Sequence, residues 1–337
     1  MRAKTVFIGN GINYLGENPT GWNDLLQDLM GDEPFDIEEL PYVMAYEKIR
    51  FDWQHKSGKP NSSELKKYIA NKMSIYSENE TCKKILNSGF SHYITTNYDH
   101  TIEHSFLSLD DSNTLFSPEK NTDTGEKNYS IRRKTELQTS TETVGTVWHI
   151  HGEIDPCQSI MLGFNHYVGS LAKIDSYLKG KYESDSNPHI TKNIDIKKIK
   201  NKVKENTYDG ISWIELFFNS DVHIVGFGFD FYEIDLWNIL TKRARLISES
   251  VQVSNKIYYY TKPLHQVTTN DKAKKIEIRK REMLKNLSVE IIEVELHKDP
   301  SNKYDYKQQW NEFLDIMTQN KIPIQLEDSH KLEHMTS

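Results

Sequence analysis

Short apolar runs alternate with amphipathic stretches along most of this 337-residue chain. Strands are predicted at 4–8, 91–95, 145–150, 221–225, 257–260 and 289–296. Each is rich in β-branched or aromatic residues and is bounded by turn residues. Between the strands, apolar residues recur at helical spacing, as at Trp22, Leu25, Leu26 and Leu29. Strands that alternate with helices predict an α/β fold built on a doubly wound parallel sheet.

The length of the chain allows one large or two ordinary domains, and three stretches interrupt the alternation of strands and helices. Helical patterns at about 31–80 and 165–210 are predicted to be insertions beside the sheet. The stretch at about 108–143 is polar and irregular, and a structureless loop of this length is uncommon inside a compact domain. It predicts either a mobile insertion over the site or a small hairpin.

Composition narrows the functional classes. The apolar fraction is 36% and the formal net charge is −7, so the chain is globular and has no overall attraction to nucleic acid or an anionic membrane. Cys82 and Cys157 are too few for a disulfide framework or a zinc-binding CxxC pair, which favours a reducing, cytoplasmic compartment. The first apolar run is too short for a signal peptide, and no segment has the roughly 20 apolar residues of a membrane span.

Four of the predicted strands end in polar or glycine-rich turns. They are Gly9-Asn10-Gly11-Ile12-Asn13, Thr96-Asn97-Tyr98-Asp99, His151-Gly152 and Gly226-Phe227-Gly228. In a parallel sheet the carboxyl ends of the strands share one edge, where such folds bind ligands. Glycine turns before a helix suit a pyrophosphate, whereas Asn, Asp and His side chains suit ribose hydroxyls, an amide and a water. Together the turns predict a nucleotide site with polar catalytic groups.

Taken one at a time, the turns also have simpler interpretations. Asn97 and Asp99 could only cap the following helix. The first turn lacks the third glycine of GxGxxG, because Tyr14 stands in its place, and so it is equally typical of an ordinary strand-to-helix connection.

Two pairs of residues further along the chain also have simple structural interpretations. Strand alternation places His149 and His151 on the same face, and either could be a core histidine. Asp230 and Glu233 have the spacing of helix-capping residues.

In the order of its turns the chain resembles the sirtuin-like (SIR2-like) family, and particularly its bacterial branch of NAD-consuming anti-phage defence proteins. Sirtuins carry a Gly-Ala-Gly-x-Ser turn, a Thr-Gln-Asn-x-Asp turn, a His-Gly turn and a later Gly-x-Ser turn, and the four turns above stand in that order. The resemblance implies a single Rossmann-like NAD-binding domain over residues 1–337.

The resemblance also implies a role for each turn. Asn97 would position a water or the ribose beside the nicotinamide-bearing carbon, Asp99 would contact the nicotinamide amide, and His151 would act as a base on the ribose hydroxyls. Family order favours His151 over His149 as the catalytic histidine, because His151 directly precedes a glycine. The residues that would bind NAD+ are Gly9, Asn10, Gly11, Asn13 and Thr96 from the first two turns, and Gly226, Phe227 and Gly228 from the last. Of these, Gly9, Gly11 and Asn13 would lie along the pyrophosphate, with Gly226 and Gly228 on the adenosine side.

The chain departs from the sirtuin pattern in two respects. Its two cysteines cannot form the four-cysteine zinc ribbon of the deacetylases, and the serines of the first and last turns are replaced by Asn13 and Gly228. No zinc ribbon and no metal are therefore expected, and the phosphate and ribose contacts differ from those of the deacetylases.

The function that the resemblance implies is hydrolysis of NAD+ to nicotinamide and ADP-ribose, with or without a cyclic product. Such an activity is toxic, which implies that it is held inactive until infection is sensed, by homo-oligomerisation, a separate regulatory defence protein or a small ligand. A sirtuin-type deacylase or ADP-ribosyltransferase and a non-catalytic subunit that senses NAD or ADP-ribose are the alternatives. A conventional dehydrogenase is disfavoured, since GxGxxG is absent.

Overall fold

The sheet at the centre of the molecule contains seven strands. The computed structural model describes residues 3–16, 21–30, 40–57, 62–75, 78–109, 130–139, 142–182, 197–267 and 270–319. Its strands are β1 (Lys4–Ile8), β2 (His92–Thr95), β3 (Thr135–Gln138), β4 (Thr143–His149), β5 (Asp221–Val225), β6 (Ile257–Thr261) and β7 (Glu290–Glu293). The strand order is β3-β4-β2-β1-β5-β6-β7, and every neighbouring pair is parallel except β3 with β4. Without the edge strand β3, this is the strand order of the doubly wound Rossmann fold.

Helices cover both faces of this sheet. Those in the described residues are α1 (Trp22–Met30), α2 (Tyr42–Ser57), α3 (Ser62–Met73), α4 (Glu80–Leu86), α5 (Thr101–Leu107), α6 (Phe164–Leu178), α7 (Ile199–Glu205), α8 (Leu216–Asn219), α9 (Ile234–Ser248), α10 (Leu264–Val267), α11 (Asp271–Asn286) and α12 (Tyr306–Gln319). Short 3-10 helices cover Asn10–Leu15, Cys157–Ser159 and Trp213–Glu215. In the part of the chain that the structure describes, no helix combines the length and apolar character needed to cross a bilayer.

The buried apolar residues form three clusters. One fills the face of the sheet under α6 and α9, and includes Trp148 and Phe217. A second fills the opposite face under α4, α5 and α12, and includes Trp310. The third lies within α1–α3 and reaches the sheet edge through Tyr98 and Leu162. This third cluster makes α1–α3 a helical lobe beside the carboxyl ends of the strands.

The predicted α/β fold with a parallel sheet is confirmed. The predicted strands are all present, although the last is shorter than the sequence pattern predicts and covers Glu290–Glu293 alone. In the polar stretch at about 108–143, the hairpin alternative is confirmed for its second half, because β3 pairs with β4 in antiparallel register. Residues 110–129 of that stretch lie outside the described residues, as do 31–39, 58–61 and 76–77 of the first helical insertion and 183–196 of the second.

Candidate active site

The carboxyl ends of β1 and β5 lie side by side, since Ile8 is in register with Val225. This is the point at which the strand order reverses, and open α/β sheets bind ligands in the crevice there. A cavity of about 570 Å³ occupies the crevice, a volume typical of small-molecule sites. Its floor contains the turns that follow β1 and β5, and its outer wall is formed by α1, α2 and the loop before α9. The lining residues are Asn10, Gly11, Tyr14, Gly21, Asp24, Leu26, Tyr42, Val43, Tyr46, Thr96, His151, Leu162, Tyr167, Gly226, Phe227, Gly228, Phe229, Asp230, Tyr232 and Glu233.

The glycines of the first turn allow the two strand ends to pack closely. A Cβ atom at Gly9 would collide with the carbonyl oxygen of Gly226, and one at Gly11 would lie 2.7 Å from the Cα of Gly226. The amide of Gly9 donates to Val225 O, and that of Gly11 donates to Gly226 O at 2.8 Å. These two amides are therefore used within the fold, and the first turn offers the cavity its Asn10 side instead.

The last turn differs from the first because its amides are not used in hydrogen bonds within the described part of the fold. Phe227, Gly228 and Phe229 line the cavity, and none of their amide N–H groups donates a hydrogen bond to another described residue. Phe229 has a φ of 52°, a left-handed conformation that is uncommon for a bulky side chain. Consecutive unpaired amides in such a turn form a concave site for an anion such as a phosphate.

The turn after β2 is fixed by hydrogen bonds to the first turn. Asp99 Oδ2 accepts from Asn13 Nδ2 at 2.8 Å, and Asp99 Oδ1 accepts from the amide of Thr101. Asn13 and Asp99 are both buried and line neither the main cavity nor the small one beside it. Their place in the structure is the wall of the site, and the contacts with NAD+ that the resemblance implies for them stay predictions.

Asn97 faces a smaller space beside the main cavity. That cavity has a volume of about 30 Å³ and shares Asn10 and Thr96 with the larger one. The Asn97 side-chain amide lies 3.5 Å from the carbonyl oxygen of Gly9, a weak contact that leaves the side chain available to a ligand.

His149 fixes the position of the turn after β2 through a contact with the backbone of Asn97. Its Nδ1 lies 2.9 Å from the backbone oxygen of Asn97, and its Nε2 lies 2.9 Å from Glu103 Oε1 on α5. Burial by itself would lower the pKa of His149, but the charge and hydrogen bond of Glu103 outweigh it and raise the pKa to about 9. His149 is thus a charged core histidine that donates to the Asn97 carbonyl.

His151 faces the main cavity from the other side of the sheet. The prediction that both histidines share one face of a strand is wrong, because β4 ends at His149 and the chain turns before His151. His151 Nε2 lies 2.9 Å from Asp235 Oδ2 on α9, and Glu233 Oε2 is 3.7 Å away. Among the described residues, His151 Nδ1 has no hydrogen-bond partner. This geometry separates the two histidines and brings only His151 to the cavity.

The carboxylates before α9 do not cap it as predicted. The helix begins at Ile234, and no side chain accepts a hydrogen bond at its Glu233 cap position. Instead, Glu233 lies against His151, and Asp230 lines the mouth of the cavity. With Asp24 they make the cavity acidic, since its lining includes neither lysine nor arginine among the described residues.

In the part of the chain that the structure describes, two groups of side chains have the composition of a metal site. Each places three ligand atoms within 4.8 Å of one another, in His100–His149–Glu153 and in His151–Glu233–Asp235. Hydrogen bonds already occupy both nitrogens of His149 and the Nε2 of His151. These contacts favour hydrogen bonding and proton transfer for both groups, and a metal-free site stays a prediction.

A model of the SIR2-like domain matches residues 91–277, more than half of the chain, and includes the turns at Asn97, His151 and Gly226. The chain belongs to the SIR2-like family. Members of this family are generally NAD-consuming enzymes, so an NAD-related activity follows for this SIR2-like chain. A comparison with curated proteins found no match.

Several residues of the SIR2-like site were not predicted from the sequence. Tyr14, Asp24, Tyr42, Tyr46, Tyr167, Asp230, Tyr232 and Glu233 line the cavity from helices and loops outside the four turns. Only the aspartate and glutamate before α9 gave a sequence signal, and it was interpreted as helix capping. Tyr42, Tyr46 and Tyr167 follow the helical spacing of core residues, which conceals a ligand-facing role.

Gly228 offers a direct test of where a ligand lies. A Cβ atom there would meet no atom within 4 Å, and its φ is not in the left-handed region, so a side chain can be added without strain. We expect Gly228→Trp to raise the KM for NAD+ at least about tenfold, the equivalent of 1.4 kcal/mol, through obstruction of the cavity. Its thermal midpoint should stay near that of wild type in a melting experiment. An unchanged KM would place the ligand elsewhere.

Proposed function

We propose that this SIR2-like protein hydrolyses NAD+ at the bond between nicotinamide and ribose. The observation that carries the proposal is that a turn with unpaired amides and the His151 side chain line one cavity, at the point where the strand order reverses. The amides of Phe227, Gly228 and Phe229 suit a pyrophosphate, whereas His151 and Thr96 suit ribose hydroxyls.

The charge of the cavity also favours this reaction. Nicotinamide leaves as a neutral molecule from a cation, and the ribose carbon becomes positive as the bond breaks. Asp24, Asp230 and Glu233 give the cavity a negative potential that stabilises this developing charge. Fixed positioning of the water and ribose can contribute about 7–11 kcal/mol to lowering the barrier.

We propose roles for two residues from the resemblance and the geometry together. Asn97 positions the water or the ribose, and its backbone is held by His149. His151 contacts the ribose hydroxyls, with its ring orientation fixed by Asp235. An aspartate that binds one ring nitrogen fixes the tautomer and leaves the other nitrogen for the substrate.

The test is incubation of the purified protein with NAD+ and no peptide, with nicotinamide and ADP-ribose followed by chromatography. We expect release by wild type, alone or after addition of lysate from infected cells. Under the same conditions we expect a loss of at least about 100-fold in Asn97→Ala, the scale of losing a positioned group at the reacting centre. Asn286→Ala, an exposed asparagine on α11, is the matched control and should behave as wild type.

The other outcomes separate the alternatives. Release that requires an acylated peptide would support a deacylase or ADP-ribosyltransferase. Binding of NAD+ or ADP-ribose without turnover, in the presence of lysate from infected cells as well as in its absence, would support a sensing subunit. Either result would contradict hydrolysis as the function.

We further propose a role in bacterial anti-phage defence through NAD+ depletion. The support is the resemblance to the bacterial branch, together with the toxicity of unrestrained NAD+ hydrolysis. Activity would be restrained until a homo-oligomer or a separate regulatory protein activates it. Measurement of cellular NAD+ in expressing bacteria, before and after phage infection, tests this role: a level that infection leaves unchanged would contradict it.

A further inference from the structure

Glu233 is a cavity carboxylate to which the family resemblance assigns no role. It directly precedes α9, lines the cavity, and places its Oε2 3.7 Å from His151 Nε2. That oxygen is enclosed, yet it accepts no hydrogen bond from any described residue. A buried carboxylate oxygen without a partner is costly, and such groups commonly have a catalytic role or await a ligand.

The neighbours of His151 make it a poor base. Burial alone would lower its pKa, but attraction to Asp235 and Glu233 outweighs burial, and the net pKa is raised. The raised pKa favours the protonated ring, which can donate a hydrogen bond or a positive charge. It cannot accept a proton from water until that first proton has left.

The surroundings of Glu233 have the opposite consequence. Burial is the largest influence and raises its pKa, the His151 charge lowers it, and Asp235 and Asp230 raise it again, to about 7 overall. Tyr98 and Tyr167 are the other titratable groups that face it. A carboxylate that titrates near the working pH has the proton affinity best suited to general base catalysis.

We propose that Glu233 is the general base of the reaction, and that His151 remains protonated as a fixed donor to the ribose. This inference rests on the proposed hydrolysis of NAD+. A water O–H bond breaks, and its proton passes to the Glu233 carboxylate. The water oxygen bonds to the ribose C1′, while the C1′–N bond breaks and its electron pair leaves with nicotinamide. Glu233 then releases the proton to solvent.

Glu233→Gln tests this assignment, because it removes the base with little change in shape. We expect kcat for nicotinamide release to fall about 10²–10⁴-fold, with the NAD+ dissociation constant within a few-fold of wild type. Wild-type kcat should rise with pH around 7, and this dependence should be absent from the variant. Glu249→Gln, the same change at the exposed carboxyl end of α9, is the control.

Azide supplies a readout that a merely structural role would not change. It is already an anion, so its attack on C1′ needs no base, and it should restore nicotinamide release to Glu233→Gln with ADP-ribosyl azide as the product. A variant with wild-type kcat, an unchanged pH dependence, or no recovery with azide would each overturn the assignment. Wild-type protein that releases no nicotinamide, either alone or with lysate from infected cells, would instead overturn the proposed hydrolysis, and this inference with it.

A melting experiment shows whether the variant folds and whether the carboxyl group is destabilised by charge. A carboxyl group with a raised pKa contributes stability at low pH that is lost as pH rises through its folded value. Glu233→Gln should therefore melt above wild type at pH 8, with the difference vanishing near pH 4.5. A variant that melts well below wild type at pH 8 would contradict the assignment.

Discussion

His151→Ala is expected to lower kcat for nicotinamide release by about 10²–10⁴-fold, with a much smaller change in NAD+ affinity. The physical reason is that His151 is the one basic side chain in the cavity lining among the described residues, and Asp235 holds its ring in one orientation. Steady-state kinetics, with NAD+ binding measured separately, would distinguish lost catalysis from lost binding.

The matched control for this variant is His265→Ala. His265 is exposed on α10 and has only a loose contact with Glu295 at 3.6 Å, so its removal should leave kcat unchanged. If His151→Ala kept kcat within threefold of wild type, the assignment of this residue to the reacting centre would be wrong.

Glu103→Gln is expected to destabilise the fold by about 3–5 kcal/mol near pH 6, because it leaves the buried His149 charge without its partner. The raised pKa of His149 means that its protonation contributes its full stability below pH 6.5 and loses it as pH rises through about 9. The pKa of Glu103 is lowered, so the contribution of this carboxylate is lost only at acidic pH, well below the pH 6 of this test. Urea denaturation at pH 6 and pH 9.5 measures this, and the difference between wild type and variant should shrink at the higher pH.

An exposed ion pair on α11 serves as the control, because it shows how much an ordinary surface pair contributes to the free energy of unfolding. Glu282 lies 2.7 Å from Arg279 on α11, with both side chains largely exposed, so Glu282→Gln should cost less than about 1 kcal/mol at either pH. A cost for Glu103→Gln that is equally small, or one that does not depend on pH, would contradict the role given to the His149–Glu103 pair.

The sheet could be predicted from the sequence because its signal is local. Each buried strand is a continuous apolar run, as at Val6-Phe7-Ile8, and the turn residues follow at once. The sequence pattern does not predict the edge strand β3, since three of the four residues of Thr135–Gln138 are polar and the strand is recognisable only through its pairing with β4.

The site could be predicted only in part because its contacts are long-range. Asn13 meets Asp99 across 86 positions, and His151 meets Asp235 across 84. Local spacing predicts a cap at Glu233, and nothing in the pattern places it against a histidine from the turn after β4. The glycines of the first turn were expected to present amides to a phosphate, but packing against Gly226 uses those amides.

The turns around the cavity therefore have different structural roles. The first turn and the turn after β2 form a hydrogen-bonded wall, whereas the amides of Phe227, Gly228 and Phe229 donate to no other described residue. The helical lobe closes the outer side, where Tyr42 and Tyr46 face the cavity. A ligand that bound here would contact both the SIR2-like core and the lobe.

The proposal that this cavity binds and cleaves NAD+ is tested most directly by a crystal structure of the Asn97→Ala variant with NAD+. Turnover by this variant should be slow enough to retain the dinucleotide. We predict the pyrophosphate on the amides of Phe227, Gly228 and Phe229, with the nicotinamide ribose beside His151 and Glu233. NAD+ bound away from this crevice, or no NAD+ bound at millimolar concentration, would contradict the claim that the cavity binds and cleaves it.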